Sequence, residues 1–376
     1  MSVILRRGRP VLLAFLAGSL AAATAAAQTT QSSARKTSPP DPAAVERRLS
    51  EAVRAAPDSF EAHRALASFY LTQGKLAAAL PHLERAQALN PTDYANGYDL
   101  ALALLETGKA DAARAQAKHM LAAQDTGELH NLVGNIEERA GNVAGAAEEY
   151  EHAARLDPTE AHLFDWGNIL VQLRAFEPAT QVFSAAIARH PLSARLHVGL
   201  GITRYAQGQY ADAVESFCRA VDLDPSDERA YQFLGEMYGV APELGAEVTE
   251  RLARFVKAQP RNALAHFHYA MSLWKGQSAA SEAADLKPVE AALRRAVALD
   301  PKLAKAFLEL GILLSDQERY EESIRELRRA ILLEPDLAQA HYRLARAYQR
   351  TGQQALAAAE LKKFTQLKAG SREQSR

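Results

Sequence analysis

Proline recurs in this 376-residue chain at a nearly constant interval, each time just after an apolar, helix-forming stretch. Eight such prolines stand 34, 67, 33, 34, 35, 41 and 34 residues apart. The gap of 67 holds two units, with Asp125 where a proline is missing, and the gap of 41 holds one unit with seven extra residues. Proline ends helices, because it lacks a backbone N–H and its ring clashes with the preceding turn. The chain is therefore predicted to be an array of helical units, each ending at one of these prolines: Pro57, Pro91, Pro158, Pro191, Pro225, Pro260, Pro301 and Pro335.

One unit, residues 304–335, shows the internal pattern most clearly. Its sequence is AKAFLELGILLSDQERYEESIRELRRAILLEP, in which the polar segment 315–319 separates two apolar patterns of helical spacing. Apolar residues at spacings of three and four lie on one face of a helix. The unit is therefore predicted to be a helix, a turn and a second helix. The apolar positions are Phe307, Leu310, Gly311 and Leu314, followed by Tyr320, Ile324, Leu327, Ala330 and Ile331.

This unit resembles the tetratricopeptide repeat, a helix–turn–helix of 34 residues. Leu310, Gly311, Ala330, Leu333 and Pro335 stand where that family has the same residues, whereas Phe307 replaces a frequent Trp and Ser323 replaces a small Ala. The resemblance implies an all-α, right-handed superhelical solenoid of about nine repeats, in which each repeat buries its apolar face on its neighbours. The Leu-Gly pair, or a close variant, recurs as Leu66-Ala67, Leu100-Ala101, Val133-Gly134, Trp166-Gly167, Leu200-Gly201, Leu234-Gly235, Tyr269-Ala270 and Leu344-Ala345.

The period divides the chain into repeats and flanking segments. Residues 42–57 are predicted to form an N-terminal capping helix, residues 58–369 the repeats, and residues 370–376 a polar tail. Repeat six crowds Gly239, Pro242 and Gly245 into its turn, so amide exchange is expected to be fastest at 239–246 and in the insertion of repeat seven. The predicted repeats are 58–91, 92–125, 126–158, 159–191, 192–225, 226–260, 261–301 with the insertion 275–287, 302–335 and 336–369.

The N-terminus has the pattern of a secretory signal peptide. Arg6, Arg7 and Arg9 precede an apolar stretch that begins at Val11, and small residues at 25–27 precede Gln28. Cleavage before Gln28 would place the protein in the periplasm or outside the cell; an uncleaved segment 11–27 would instead anchor it to the inner membrane. Residues 28–41 are polar and rich in Pro and Ser, which predicts a disordered spacer. The composition, rich in Ala and Arg, favours a bacterial source.

Charge and cysteine content narrow the function classes. Without residues 1–27 the chain has 41 basic and 45 acidic side chains, a net charge of −4, which provides no general attraction to nucleic acid. Contact with a membrane is expected only if the signal segment is uncleaved. Cys218 is the only cysteine, so no disulfide can form within the chain, and we expect it to be a small core residue.

No catalytic, cofactor or metal motif is found in the sequence. It has no His-Glu-x-x-His, no cysteine pair, no glycine-rich phosphate loop and no Gly-x-Ser-x-Gly. Five histidines occupy the same register, three residues before the Leu-Gly position. Because only one of them falls in each repeat, they form a row and do not converge on a metal. We therefore predict no catalytic residues, no cofactor and no metal, and interpret the row as packing: His63, His130, His197, His266 and His341.

The resemblance implies that the first helices line a concave inner surface. The fifth, ninth and twelfth positions of each repeat, counted with Ala304 as the first, would then face a bound peptide or partner helix. The alternative is that these side chains pack on adjacent helices. Asparagines at these positions, Asn131, Asn135 and Asn168, could bond a peptide backbone. The candidate partner-binding residues are Phe164, Asn168, Val198, Ile202, Tyr205, Phe267, Met271, Trp274, Leu308, Ile312 and Tyr342.

Three functions remain open at this point. The first is an exported scaffold or adaptor that binds an unidentified protein or peptide in its concave groove. The second is a structural subunit of a cell-envelope or secretion assembly, held by its convex face or its ends. The third is an enzyme with its chemistry at the insertion, which the absence of a nucleophile–base set disfavours.

Overall fold

The computed structural model describes residues 41–238, 241–275 and 285–373. Within these ranges the chain forms nineteen α-helices and a 3₁₀ turn, Pro242–Leu244, and no β-strand. The prediction of an all-α helical repeat is confirmed. The predicted signal peptide, nearly all of the spacer, residues 276–284 of the insertion and the last three residues lie outside the described residues.

One helix precedes nine helix pairs. The lone helix is α1, Pro42–Ala55, in the segment predicted to cap the array. Each following pair is a first helix and a second helix of one repeat. The pairs are α2 (Phe60–Thr72) with α3 (Leu76–Leu89), α4 (Tyr94–Glu106) with α5 (Ala110–Ala123), α6 (Gly127–Arg139) with α7 (Val143–Leu156), α8 (Glu160–Gln172) with α9 (Phe176–Arg189), α10 (Ala194–Ala206) with α11 (Tyr210–Leu223), α12 (Glu228–Glu236) with α13 (Gly245–Ala258), α14 (Ala263–Lys275) with α15 (Lys287–Leu299), α16 (Ala304–Asp316) with α17 (Tyr320–Leu333), and α18 (Ala338–Arg350) with α19 (Gln354–Glu373).

The first helices begin at polar caps in most repeats. Ser59 Oγ accepts a hydrogen bond from the backbone N–H of Ala62 at 3.2 Å, and equivalent Ser, Thr or Asp caps precede the first helices of repeats two to six. Such a cap satisfies a backbone donor that the helix cannot pair internally. Repeats eight and nine have Leu303 and Leu337 at this position, without a side-chain cap.

A tight turn joins the two helices of a repeat. In repeat one, Gly74 donates to the carbonyl of Leu71 and Lys75 donates to the carbonyl of Tyr70, the Schellman pattern. This turn needs a residue with positive φ, which is glycine in five repeats. Repeats four and eight build the same turn with Arg174 at φ 59° and Glu318 at φ 62°. Ser315, which the sequence placed in a turn, lies inside α16 instead.

The Leu-Gly position brings the first helix against its own second helix. A Cβ atom on Gly311 would lie 2.6 Å from Cγ of Leu327, sixteen residues later. The same spacing pairs Gly134 with Tyr150, Gly167 with Phe183 and Gly201 with Phe217, where a Cβ would lie 2.6–2.7 Å from the ring. At these four positions glycine leaves the space that a large side chain of the second helix fills.

The helices form two compact units, residues 1–191 and 192–376, of which the structure describes residues from 41 onward. In the N-terminal unit, Leu83, Leu104, Leu132 and Ile136 are among the side chains that fill one core. In the C-terminal unit, a cluster that includes Leu293, Leu310 and Leu313 fills the space between α14, α15 and α16. A second cluster there, which includes Leu327 and Leu344, fills the space between α16, α17 and α18.

Repeat six departs from the common packing. Its first helix, α12, has only nine residues, and a 3₁₀ turn precedes α13. Gly235 faces His268 of α14 in the next repeat, where a Cβ would lie 2.2 Å from the imidazole Cγ, and not the residue sixteen positions later. Tyr231 of α12 and Phe255 of α13 stack in parallel, with centroids 4.2 Å apart, and hold the two helices of this repeat together. Gly239, the first of the three turn residues noted in the sequence, lies outside the described residues.

Cys218 lies buried in α11, as predicted. Burial raises the pKa of its thiol to about 11, so the thiolate needed for reactivity is scarce near neutral pH. None of the helices in the described ranges combines the length and the hydropathy needed to span a bilayer.

Candidate binding face

The row of histidines forms hydrogen bonds within the repeats. His63, His266 and His341 each bond through Nε2 to the carbonyl of a repeat-closing proline, at 2.9–3.1 Å. The Nδ1 atoms of His63, His130 and His341 face a residue nineteen positions later on the second helix, at 2.5–3.1 Å. The register thus ties a first helix both to the preceding loop and to its second helix. These hydrogen bonds indicate that the histidines stabilise the repeats.

Most of the candidate partner-binding residues lie in the packed interior. Met271 is fully buried, and seven others are no more than 8% exposed: Phe164, Asn168, Val198, Ile202, Phe267, Leu308 and Ile312. Buried side chains have little surface to offer a partner. Their positions match the alternative given above, in which these side chains pack on adjacent helices. Tyr205 and Trp274 are partly buried, and Tyr342 is 37% exposed. Binding by any of the eleven residues stays a prediction.

On the first helices of the N-terminal unit, polar side chains pair with one another. Arg64 forms an ion pair with Asp99 at 2.7 Å, and Arg139 forms one with Glu106 at 2.6 Å. Asn131 Nδ2 donates to Asp165 at 3.0 Å, and Asn135 donates back to Asn131. The bonds of Arg64, Arg139 and Asn131 join consecutive first helices. The amides of Asn131 and Asn135, which the sequence suggested for a peptide backbone, thus already donate hydrogen bonds within the protein. Asn168 is buried, and its Oδ1 has no hydrogen-bond partner.

The C-terminal unit presents an aromatic and cationic group at the end of α14. Trp274 packs against both apolar clusters of this unit, and the Lys275 ammonium lies 4.6 Å from its ring centroid. Lys275 also pairs with Glu309 of α16. Tyr238 packs on the cluster between α14, α15 and α16, and burial raises the pKa of its hydroxyl to about 12.

Farther along this unit, the face of α18 carries arginines that sequence reasoning missed. Arg343, Arg346 and Arg350 line a shallow depression of about 80 Å³ together with residues of α16 and α17. Arg343 pairs with Asp316 at 3.2 Å. Their spacing of three and four was visible in the sequence, but which arginines find a carboxylate depends on the neighbouring helices. The other lining residues are Ser315, Asp316 and Tyr320.

Tyr342 precedes Arg346 by four residues and therefore lies on the same side of α18. Its ring contacts Phe364 of α19, with centroids 5.2 Å apart. We define the binding face as Tyr342, Arg343, Arg346 and Arg350 of α18, together with Trp274 of α14, two repeats earlier. In the part of the chain that the structure describes, no group of three or more His, Cys, Asp or Glu side chains could hold a metal ion.

Fold and site together define a helical-repeat protein with an open face of aromatic and cationic side chains. Models of the tetratricopeptide repeat match residues 41–94, 164–228, 70–136 and 338–370, and a TPR repeat model matches residues 313–352. Together these matches span more than half of the chain. The chain belongs to the tetratricopeptide repeat family, whose members are generally non-enzymatic scaffolds for protein–protein interaction.

Two solved structures and one human protein are similar to parts of this chain. The C-terminal part of a TPR repeat-containing protein from Cytophaga hutchinsonii is 18% identical and has a TM-score of 0.51, covering 66% of this chain and 98% of that one. A tetratricopeptide repeat protein from Parabacteroides merdae is 15% identical with a TM-score of 0.44, covering 77% and 98%. The human protein O-mannosyl-transferase TMTC1 is 24% identical over 179 residues, which are 46% of this chain and 20% of TMTC1. The chain thus spans about a fifth of that relative's length.

Proposed function

We propose that this protein is an exported scaffold that binds a peptide or a partner helix on the binding face of its C-terminal unit. The observation that carries the proposal is the exposure of Tyr342 beside arginines 346 and 350, which form no ion pair in the described residues. Aromatic and arginine side chains are enriched among the residues that dominate binding energy at interfaces. A surface that combines them is suited to protein recognition.

Burial decides which side chains can act as anchors. Phe267 and Met271 support the face from within the core, whereas Trp274 and Tyr342 reach its surface. Replacing Phe267 would therefore lower stability and binding together. A test of binding needs the surface residues alone.

The test is selection from a displayed library of random ten-residue peptides on the immobilised chain. The affinities of enriched peptides are then measured for the double variant Trp274→Ser with Tyr342→Ser. We expect affinity to fall by at least about tenfold, since the loss of one aromatic anchor often costs about 2 kcal/mol. Circular dichroism would check that helicity and melting are retained.

Leu332→Ser is the matched control, because Leu332 is 70% exposed and lies on the second helix α17. It should leave peptide affinity unchanged. A library that yields no enriched peptide, or equal affinities for the double variant and the control, would refute the proposal.

Export is the second part of the proposal, and it is supported by the signal-like pattern of residues 1–27. Residues 1–40 fused to a reporter active only outside the cytoplasm should give signal. The mature N-terminus is expected at Gln28. A full-length N-terminus in the membrane fraction would assign the segment 11–27 as an anchor.

The alternative function, a subunit of a cell-envelope or secretion assembly, is favoured by two leucines on second helices. Leu332 and Leu356 are 70% and 48% exposed, on α17 and α19 of consecutive repeats. If these leucines dock into an assembly, Leu332→Ser with Leu356→Ser should release the protein from it. The aromatic double variant should then remain bound.

A further inference from the structure

The helix α18 is unusual in its charge. Its sequence AQAHYRLARAYQR has three arginines and no acidic residue. Residues 338–373, which comprise α18 and α19, contain seven basic and two acidic side chains. One of those two acids, Glu360, is bonded to His341 Nδ1 at 2.5 Å. The last repeat therefore has an excess of positive charge.

The arginines of the binding face are only partly neutralised. Arg343 pairs with Asp316, the one carboxylate that lines the depression. Arg346 and Arg350 are exposed, and in the described residues neither forms an ion pair. Glu322 of α17 is already bonded by Arg319 and Arg294. Two guanidinium groups thus remain available to an external anion.

We propose that Arg346 and Arg350 recognise an acidic peptide segment of a partner, with Tyr342 contacting an apolar side chain beside the acids. This inference rests on the proposed function and names the chemistry of its ligand. Guanidinium groups bind carboxylates through two parallel hydrogen bonds, which gives both affinity and orientation. The positive charge of the last repeat complements such a segment.

The spacing of the two arginines matches that of acidic side chains in an extended peptide. Arg346 and Arg350 are four residues apart, so their Cα atoms are separated by about 6 Å along the helix axis. In an extended peptide, side chains two residues apart lie on one face at about 6–7 Å. Two acids in an Asp/Glu-x-Asp/Glu pattern would therefore match the two guanidinium groups.

To test this inference, the peptides selected from the random library on the immobilised chain are sequenced. We expect Asp and Glu to be enriched at two positions two residues apart, next to an apolar residue. An enriched peptide should bind at least about tenfold more tightly than the same peptide with Gln for each Glu and Asn for each Asp. That difference should disappear in the variant Arg346→Gln with Arg350→Gln.

The control variant is Arg325→Gln with Arg328→Gln, which removes the same charge from exposed positions of α17. It should keep the preference for acidic peptides. Enriched peptides without an acidic excess, or equal loss in both arginine variants, would overturn the inference and leave the proposed function standing. A library with no enriched peptide would overturn both.

Two competitors distinguish other anions. Inorganic phosphate at 5 mM and a 12-nucleotide oligothymidine are expected to leave the acidic peptide bound at 150 mM NaCl, by fluorescence anisotropy. Displacement by phosphate would assign the arginines to a small-anion site. Oligothymidine binding that requires Arg346 and Arg350 would assign the face to nucleic acid, and either result would contradict the proposal.

Discussion

The two units are built from the same helix pair but differ in how their first helices use polar groups. In the N-terminal unit, Arg64, Asn131 and Arg139 each bond an acidic residue of a neighbouring first helix. In the C-terminal unit, the last first helix leaves Arg346 and Arg350 without an ion pair among the described residues. Residues 41–191 contain 13 basic and 21 acidic side chains, whereas residues 192–376 contain 26 and 24.

The surface of the first helices therefore stabilises the N-terminal unit, whereas in the C-terminal unit we propose that it binds a ligand. Where charges are already paired, a ligand has to replace existing bonds, and the gain in free energy is small. Where guanidinium groups are exposed and unpaired, a carboxylate adds interactions without breaking any. In the N-terminal unit the polar side chains therefore stabilise the packing of the first helices, and the C-terminal unit carries the proposed binding face.

The units also differ in regularity. Repeat six, in the C-terminal unit, has a shortened first helix that packs on His268 of the next repeat. The described repeats of the N-terminal unit keep first helices of thirteen residues.

The largest effect is expected at the stacked pair of repeat six. Phe255→Ala would remove the ring that packs in parallel on Tyr231, both of them buried. Such a truncation costs about 3–5 kcal/mol, because transfer energy is lost and a cavity is left. Urea unfolding followed by Trp274 fluorescence measures it, in a background where Trp166 is replaced by Phe. Leu332→Ala, at an exposed site, should cost under about 0.5 kcal/mol; equal costs would show that the stack does not hold α12 and α13 together.

The second effect is a loss of stability in acid that originates at His268. Burial lowers the pKa of His268 to about 4, from its ordinary value of 6.5. Between these values the unfolded chain binds a proton that the folded chain does not, so stability falls as pH decreases from about 6.5 to 4. The loss is at most roughly 3 kcal/mol, since one pKa unit is worth about 1.4 kcal/mol.

His268→Leu should remove this contribution while keeping a buried side chain of similar size. Urea midpoints at pH 7, 5.5 and 4 would be compared for the two proteins. The original protein should lose more stability than the variant over this range, because carboxylate protonation affects both alike. Parallel pH profiles would contradict the assignment to His268.

The third effect concerns the close approach of α16 and α17. Gly311→Leu would place atoms where Leu327 already lies and should cost about 1–3 kcal/mol through overpacking. Ser315→Ala, in the last turn of α16, should change stability little. Urea melts that show equal stabilities would mean that the glycine is not required at this contact.

The smallest effect concerns the turn between the two helices of a repeat, which occurs in repeats of both units. Arg174 and Glu318 adopt positive φ where five other repeats use glycine. Arg174→Gly and Glu318→Gly should each relieve about 1 kcal/mol of backbone strain, partly offset by the greater entropy of glycine in the unfolded chain. Thermal melts should show a small gain at both sites; a loss at either site would indicate that its side chain makes a stabilising contact outweighing the strain.

The sequence by itself determined the helical period, the ends of most helices and the close contacts within a repeat. These are local properties: a proline ends its own helix, and a glycine at 311 meets a residue sixteen positions later. The sequence likewise indicated a structural role for the row of histidines, because the same position recurs once in each repeat.

Only the tertiary structure decided which inner side chains are buried and which charges are unpaired. Met271 and Trp274 share one face of α14, yet Met271 is fully buried and Trp274 reaches the surface. Arg343 finds Asp316 on α16, but Arg346, three residues later, finds no carboxylate in the described chain. Exposure and pairing depend on the distance and angle between helices from different repeats, and periodicity within one helix does not specify either quantity.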